Sequence, residues 1–141
     1  MSQPELERRR VATEKTLHRY RGKVFDWSSG ITCVHLARFH LKNMGHKPET
    51  LPRFRSALGA KKALRERNWE SVAEMLDSMM PRIAPARMML GDLALVPGDA
   101  GLDAIFICAG PLKAFGWAVD QDSMAMVDIQ NLDGLQGAWR V

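Results

Sequence analysis

The chain has 141 residues, 46% hydrophobic and 26% charged, with a formal net charge of +4 and two cysteines. That length fits one domain over 1–141 whose core needs neither metal nor disulfide, and no run approaches the ~18 apolar residues of a membrane span. The polar start MSQPELERRR lacks a secretory signal, so synthesis in the cytoplasm and reduced thiols are expected.

Ser2 and Glu5 fit a capping box, and Pro4 suits a first turn. A helix is expected over 4–21, with Leu6, Val11, Leu17 and Tyr20 as buried positions and Gly22 as its end. Residues 24–27 are short, aromatic and apolar, and Ser28, Ser29 and Gly30 form a loop. Thr32 is a good N-cap for a second helix. Its apolar stripe is Cys33, Leu36, Ala37, Leu41 and Met44, with Gly45 at the C-terminal end. Two further helices are expected over 56–67 and 69–79, which makes 32–80 the helical part, and 81–85 breaks the pattern. The last third reads as strands over 92–96, 103–109, 114–119 and 124–129. Turn chemistry falls at 97–101 and 121–123. Helices followed by an antiparallel sheet over 91–130 define an α+β domain.

Cys33 is the residue that carries chemistry. It stands just inside a predicted helix start, where unpaired N–H groups favour a thiolate. A nucleophilic cysteine also needs a base within hydrogen-bond reach. On its own, Cys33 reads first as one more small apolar residue of the stripe.

The surrounding order adds to this. Phe25-x-Trp27 precedes Cys33, Gly91-Asp92 opens one strand, 104–110 forms the next and ends at Gly110, and Trp139-Arg140 closes the chain. This order resembles the NlpC-type papain-like cysteine peptidases over residues 24–141. It is more similar still to a family from phage and prophage tail gene clusters that shares the Phe-x-Trp, the Cys, the Gly-Asp and the final Trp-Arg. The resemblance implies a papain-like (NlpC-type) α+β fold, with N-terminal helices packed on a small antiparallel sheet. It also implies Cys33 as the nucleophile position and places Ala104 where those peptidases carry their histidine. No histidine follows His46. His35 lies about 200° around the helix from Cys33, His40 lies roughly 10 Å along its axis, and neither His18 nor His46 fits the family geometry. Thr32 stands where the peptidases carry Asp.

Residues 1–70 hold 16 Lys+Arg against 7 Asp+Glu, whereas 71–141 hold 4 against 9. Such asymmetry marks a nucleic-acid surface, two faces of an assembly, or merely solvated helices. The basic run 53–67 and the methionines Met75, Met79, Met80, Met88 and Met89 admit the same plain readings, as a solvated face and as core filler. Trp117, Trp139 and Arg140 are candidate interface residues, with Trp139 buried against a neighbour and Arg140 paired to its carboxylate. On that view the last four residues are removable without unfolding; the plainer alternative is that Trp139 caps its own core. The resemblance thus implies a structural tail-tip or baseplate component that lacks its catalytic histidine, with Cys33 as a vestigial nucleophile. Its partners are other tail-tip or hub proteins, its place the virion tail, and no cofactor, metal or nucleic acid is expected. The alternative is an active cysteine peptidase or amidase degrading peptidoglycan during phage entry.

Overall fold

A computed structural model describes residues 3–98 and 101–141. Ser2 and part of the expected 97–101 turn lie outside the described residues. The helix α1 spans Gln3–Tyr20 and ends at Gly22, whose φ of +77° is a left-handed conformation that glycine adopts without penalty. Its buried stripe is Arg9, Ala12, Thr13, Thr16 and Tyr20, spaced at helical period. This corrects the apolar reading at Leu6 and Val11, which are 38% and 51% exposed, whereas Tyr20 is buried and Leu17 packs against the core as expected. The inward face is set by polar partners waiting in the fold, described below, and not by the most hydrophobic side chains.

Three shorter helices follow, each opened by a hydroxyl cap. Thr32 accepts from the His35 N–H at the start of α2 (Cys33–Asn43). Ser56 accepts from Gly59 N at α3 (Ala57–Glu66), and Ser71 from Glu74 N at α4 (Val72–Met79). The expected 69–79 helix thus begins three residues late, after Asn68, which has a φ of 66°. The α2 stripe is as expected: Leu36, Ala37, Leu41 and Met44 are buried and Cys33 packs against them. Arg8 on α1 donates to the Met44 carbonyl at 2.7 Å, satisfying an orphan acceptor at the end of α2.

The sheet has six antiparallel strands, β1 (Arg82–Ile83), β2 (Leu93–Val96), β3 (Ala104–Gly110), β4 (Lys113–Gly116), β5 (Ala125–Asp128) and β6 (Gly137–Trp139), in the order β1-β6-β2-β3-β4-β5. The expected limits of 91–130 are therefore too narrow, because β1 and β6 lie beyond them. β6 is an interior strand: Trp139 stands opposite Arg82 on one side and Leu93 on the other. Leu93, Leu95, Ile105, Ile107, Phe115 and Trp139 form one core with Leu36, Leu41, Met75 and Leu76 of the helices. Alternation sends Ala94, Phe106, Cys108 and Ala138 to the opposite face, where they too are buried.

Trp139 accordingly belongs to the chain's own core and not to a neighbour. It is 0% exposed, its indole N–H donates to Asp77 at 2.8 Å, and Arg82 stacks 4.8 Å from its ring. The indole also lies over Gly137, where an added Cβ would come within 2.7 Å of it. Trp117, the other aromatic expected at an interface, is 7% exposed and donates its N–H to the Lys23 carbonyl at 2.9 Å.

A candidate active-site cleft around Cys33

The loop before α2 is built to deliver Cys33 to the end of the sheet. Asp26 and Ile31 exchange both backbone hydrogen bonds at 2.9 Å. Inside that narrow turn the Asp26 carboxylate accepts from Ser28 N, Ser28 Oγ and Ser29 Oγ at 3.0, 2.8 and 2.6 Å. These hydroxyls hold its pKa below the usual carboxylate range. Gly30 closes the turn with a φ of +72°, and Thr32 then caps the helix.

Cys33 opens α2 and faces the start of β3, with Sγ 4.0 Å from the Asp103 carbonyl. The two share a cleft of about 340 Å³ with Ala104, Val72 and Leu102. Aromatic rings form much of its wall: Phe25 meets Trp27 and Trp117 edge-on, at 5.1 and 5.5 Å between centroids. A helix N-terminus favours a thiolate, but only by ~0.3–1 kcal/mol near a surface. Here burial dominates and pushes the Cys33 thiol up, with only partial relief from the backbone amides of Ile105 on β3 and of Cys33 and Val34 at the helix start. The cysteine is thus protonated at neutral pH.

None of the cleft-lining side chains among the described residues is an imidazole. His35 turns back on the cap, its Nδ1 2.7 Å from Thr32 Oγ1 and its ring 5.1 Å from Phe54. Burial, and then Arg38, lower its pKa; with Thr32 Oγ1 already accepting from the His35 N–H, a neutral ring that accepts the Thr32 hydroxyl at Nδ1 fits the contact. His40 is fully buried between α1 and the sheet. Its Nε2 donates to the Gly91 carbonyl at 2.8 Å, and its Nδ1 lies 3.0 Å from Thr16 Oγ1. Burial lowers its pKa to about 4, against partial support from the Gly91 hydrogen bond. A neutral ring with the proton on Nε2 fits both contacts.

The Gly91-Asp92 pair has a structural task. Gly91 has a φ of +92°, and an added Cβ there would meet Thr13 Oγ1 at 3.2 Å and Arg9 at 3.4 Å. Asp92 is fully buried. Its Oδ1 accepts from Arg9 Nη1 and Val141 N, both at 3.1 Å, and its Oδ2 from Met89 N and Arg140 Nε, both at 2.9 Å. Arg9 also donates to the Leu90 and Val141 carbonyls. Arg9 Nε has no hydrogen-bond partner among the described residues and stands 3.5 Å from Glu5 Oε1; the other contacts offset the burial of the charge pair and tie α1, the start of β2 and residues 140–141 together. Arg140 thus pairs with a carboxylate of its own chain. Periodicity had no means of finding Arg9, Thr16 or Asp92, because each is buried through a polar contact made at long range.

Helices packed on this antiparallel sheet make a fold that matches the NlpC/p60 papain-like domains. The chain superposes on the NlpC/p60 domain of the peptidoglycan hydrolase SagA with a TM-score of 0.62 at 15% identity, over 94% of this chain and 98% of that one. A second similar structure is a protein "similar to lipoprotein, NLP/P60 family" from Staphylococcus aureus subsp. aureus Mu50, with a TM-score of 0.60 at 19% identity. That match covers 96% of this chain and 41% of the other. No curated protein matches the chain. By sequence it belongs to the family "Domain of unknown function (DUF6950)", whose model matches residues 5–141. Among the described residues no three His, Cys, Asp or Glu side chains stand together as a metal site, and no helix is long and apolar enough to cross a membrane.

Proposed function

We propose that this chain is a non-catalytic NlpC/p60-fold domain that serves as a structural component of a phage tail tip or baseplate. The observation that carries the reading is the cleft itself. It holds the Cys33 thiol at a helix start, with Ala104 on the facing strand and no imidazole in the lining. A protonated thiol without a proton acceptor does not attack an amide at a useful rate. The Asp103 carboxylate raises the thiol's pKa further. The tail assignment is supported by the resemblance of Phe25-x-Trp27, Cys33, Gly91-Asp92 and Trp139-Arg140 to the tail-cluster pattern. The rival, a peptidoglycan peptidase or amidase, draws support from Cys33 still opening a helix inside an open cleft.

Two measurements test this. Purified protein incubated with peptidoglycan stem peptides is expected to release no product. A digest abolished by Cys33→Ala decides for the rival. Fractionated virions are expected to contain the protein in the tail, made in the host cytoplasm and assembled there with tail-tip or hub proteins. Its absence from both particles and assembly intermediates removes the tail role.

A further inference from the structure

We propose that the Cys33 cleft receives an arginine or lysine side chain carried on an extended segment of a partner protein. The proposal rests on the reading of the cleft as non-catalytic and names what occupies it. In a chain of net charge +4, the charged lining residues among those described are two aspartates, Asp103 and Asp122. Neither carboxylate forms an ion pair or a side-chain hydrogen bond with another described residue. Lys61 and Arg65 line a neighbouring depression that shares Val72, Leu102 and Asp103 with the cleft and does not include Asp122, so Asp122 is the carboxylate that faces the cleft alone.

The walls suit the same ligand. Phe25, Trp27 and Trp117 offer aromatic surface beside the two carboxylates, and a cation on an aromatic face is held by the ring quadrupole, most strongly when partly desolvated. Cys33 contributes no competing charge. The volume of about 340 Å³ sits at the low end of ligand pockets, ~300–1,000 Å³. That space suits one long side chain with its flanking backbone and not a folded surface. The mouth carries Val24 and Val119, which are 56% and 72% exposed. This apolar rim fits the neighbouring residues of a peptide better than a free polyamine, and the two carboxylates disfavour nucleic acid.

The test uses ¹⁵N-labelled full-length protein and a terminally blocked peptide with one arginine between apolar residues, beside the same peptide carrying citrulline or glutamate. The indole N–H signals of Trp27 and Trp117 are expected to shift with the arginine peptide while that of Trp139 stays still. The exposed change Asp122→Asn is expected to weaken binding about fivefold, the scale of one partly screened charge pair, and added salt to weaken it further. Asp103→Asn serves as the second variant. Equal binding of the citrulline peptide, indifference to both substitutions, or shifts mapping elsewhere overturns the proposal. Concentration-dependent shifts at the cleft without peptide overturn it in favour of a second copy as the occupant. The peptide is weighed by mass spectrometry after each titration. Cleavage dependent on Cys33 refutes the non-catalytic reading, whereas an intact peptide that fails to bind refutes only the docking site.

Discussion

Acid is expected to loosen this fold through one buried ring. His40 is neutral in the folded protein, with its pKa lowered from 6.5 to about 4 by burial. In the unfolded chain the ring takes a proton at its ordinary value, so between these two values the unfolded state binds more protons. Stability therefore rises with pH across that window and is lost as pH falls through it. The full shift corresponds to about 3 kcal/mol, at about 1.4 kcal/mol per pH unit of displacement. Lowering the pH from about 7 to about 5 removes about 2 kcal/mol of that, or roughly 6 °C of melting temperature for a domain of this size. His40→Gln is the control, because its amide N–H₂ still reaches the Gly91 carbonyl and does not titrate. Urea unfolding of both proteins across this range gives the difference, in which carboxylate contributions common to both cancel. The variant is expected to lose most of the decline. Parallel curves would show that His40 is either already solvated or protonated in the fold, and the argument would fail.

Alkylation of Cys33 by iodoacetamide at about pH 7 should run well below the rate of a free cysteine of pKa ~8.5; labelling as fast as a model thiol contradicts the raised pKa. Arg9→Met strips one partner from the buried Asp92 carboxylate and should cost about 3 kcal/mol in urea unfolding, whereas a loss typical of a surface arginine means that the cluster is wet. Gly137→Ala drives a methyl into the Trp139 indole and should destabilise by ~1–3 kcal/mol, with an altered tryptophan environment in near-ultraviolet circular dichroism. Deleting residues 138–141 removes most of an interior strand and two donors to Asp92, so the product should fail to fold; a cooperative melt from this truncation refutes the placement of β6.

The helical half was legible because each helix announces itself locally. Thr32, Ser56 and Ser71 are hydroxyl caps with apolar spacing behind them. The strands 104–110 and 93–96 declare themselves by apolar runs beside turn residues. β1 and β6 do not, since two and three residues show no period, and Gly137 and Ala138 are poor strand formers, the glycine set by the space under an indole. Ala104 drew notice only through its order relative to Gly91-Asp92 and Gly110, and it lines the cleft with Cys33. Arg9, Thr16 and His40 were opaque for the opposite reason. Hydrophobic counting assigns them to the surface; Asp92 and Gly91, the partners of Arg9 and His40, lie more than fifty residues away, and Thr16 meets His40 across 24 residues. The aspartates of the cleft were equally hidden, because nothing local to Asp103 or Asp122 tells that they share one opening.

The position of β6 bears on how the chain is made. Residues 137–139 fill the gap between β1 and β2, so during translation those two strands wait for a partner that leaves the ribosome after both. Until then β2 presents an open edge, and Leu93, Leu95 and the helices that cover them have no Trp139 to close against. An unpaired edge beside apolar surface is the usual starting point for aggregation. Arg9 on the first helix adds a second wait, since its hydrogen-bonding partners include the carbonyl of Val141. The sheet and the Arg9 cluster thus close only once residues 137–141 have left the ribosome, and the yield in a cell should depend on how long chaperones shelter the waiting chain.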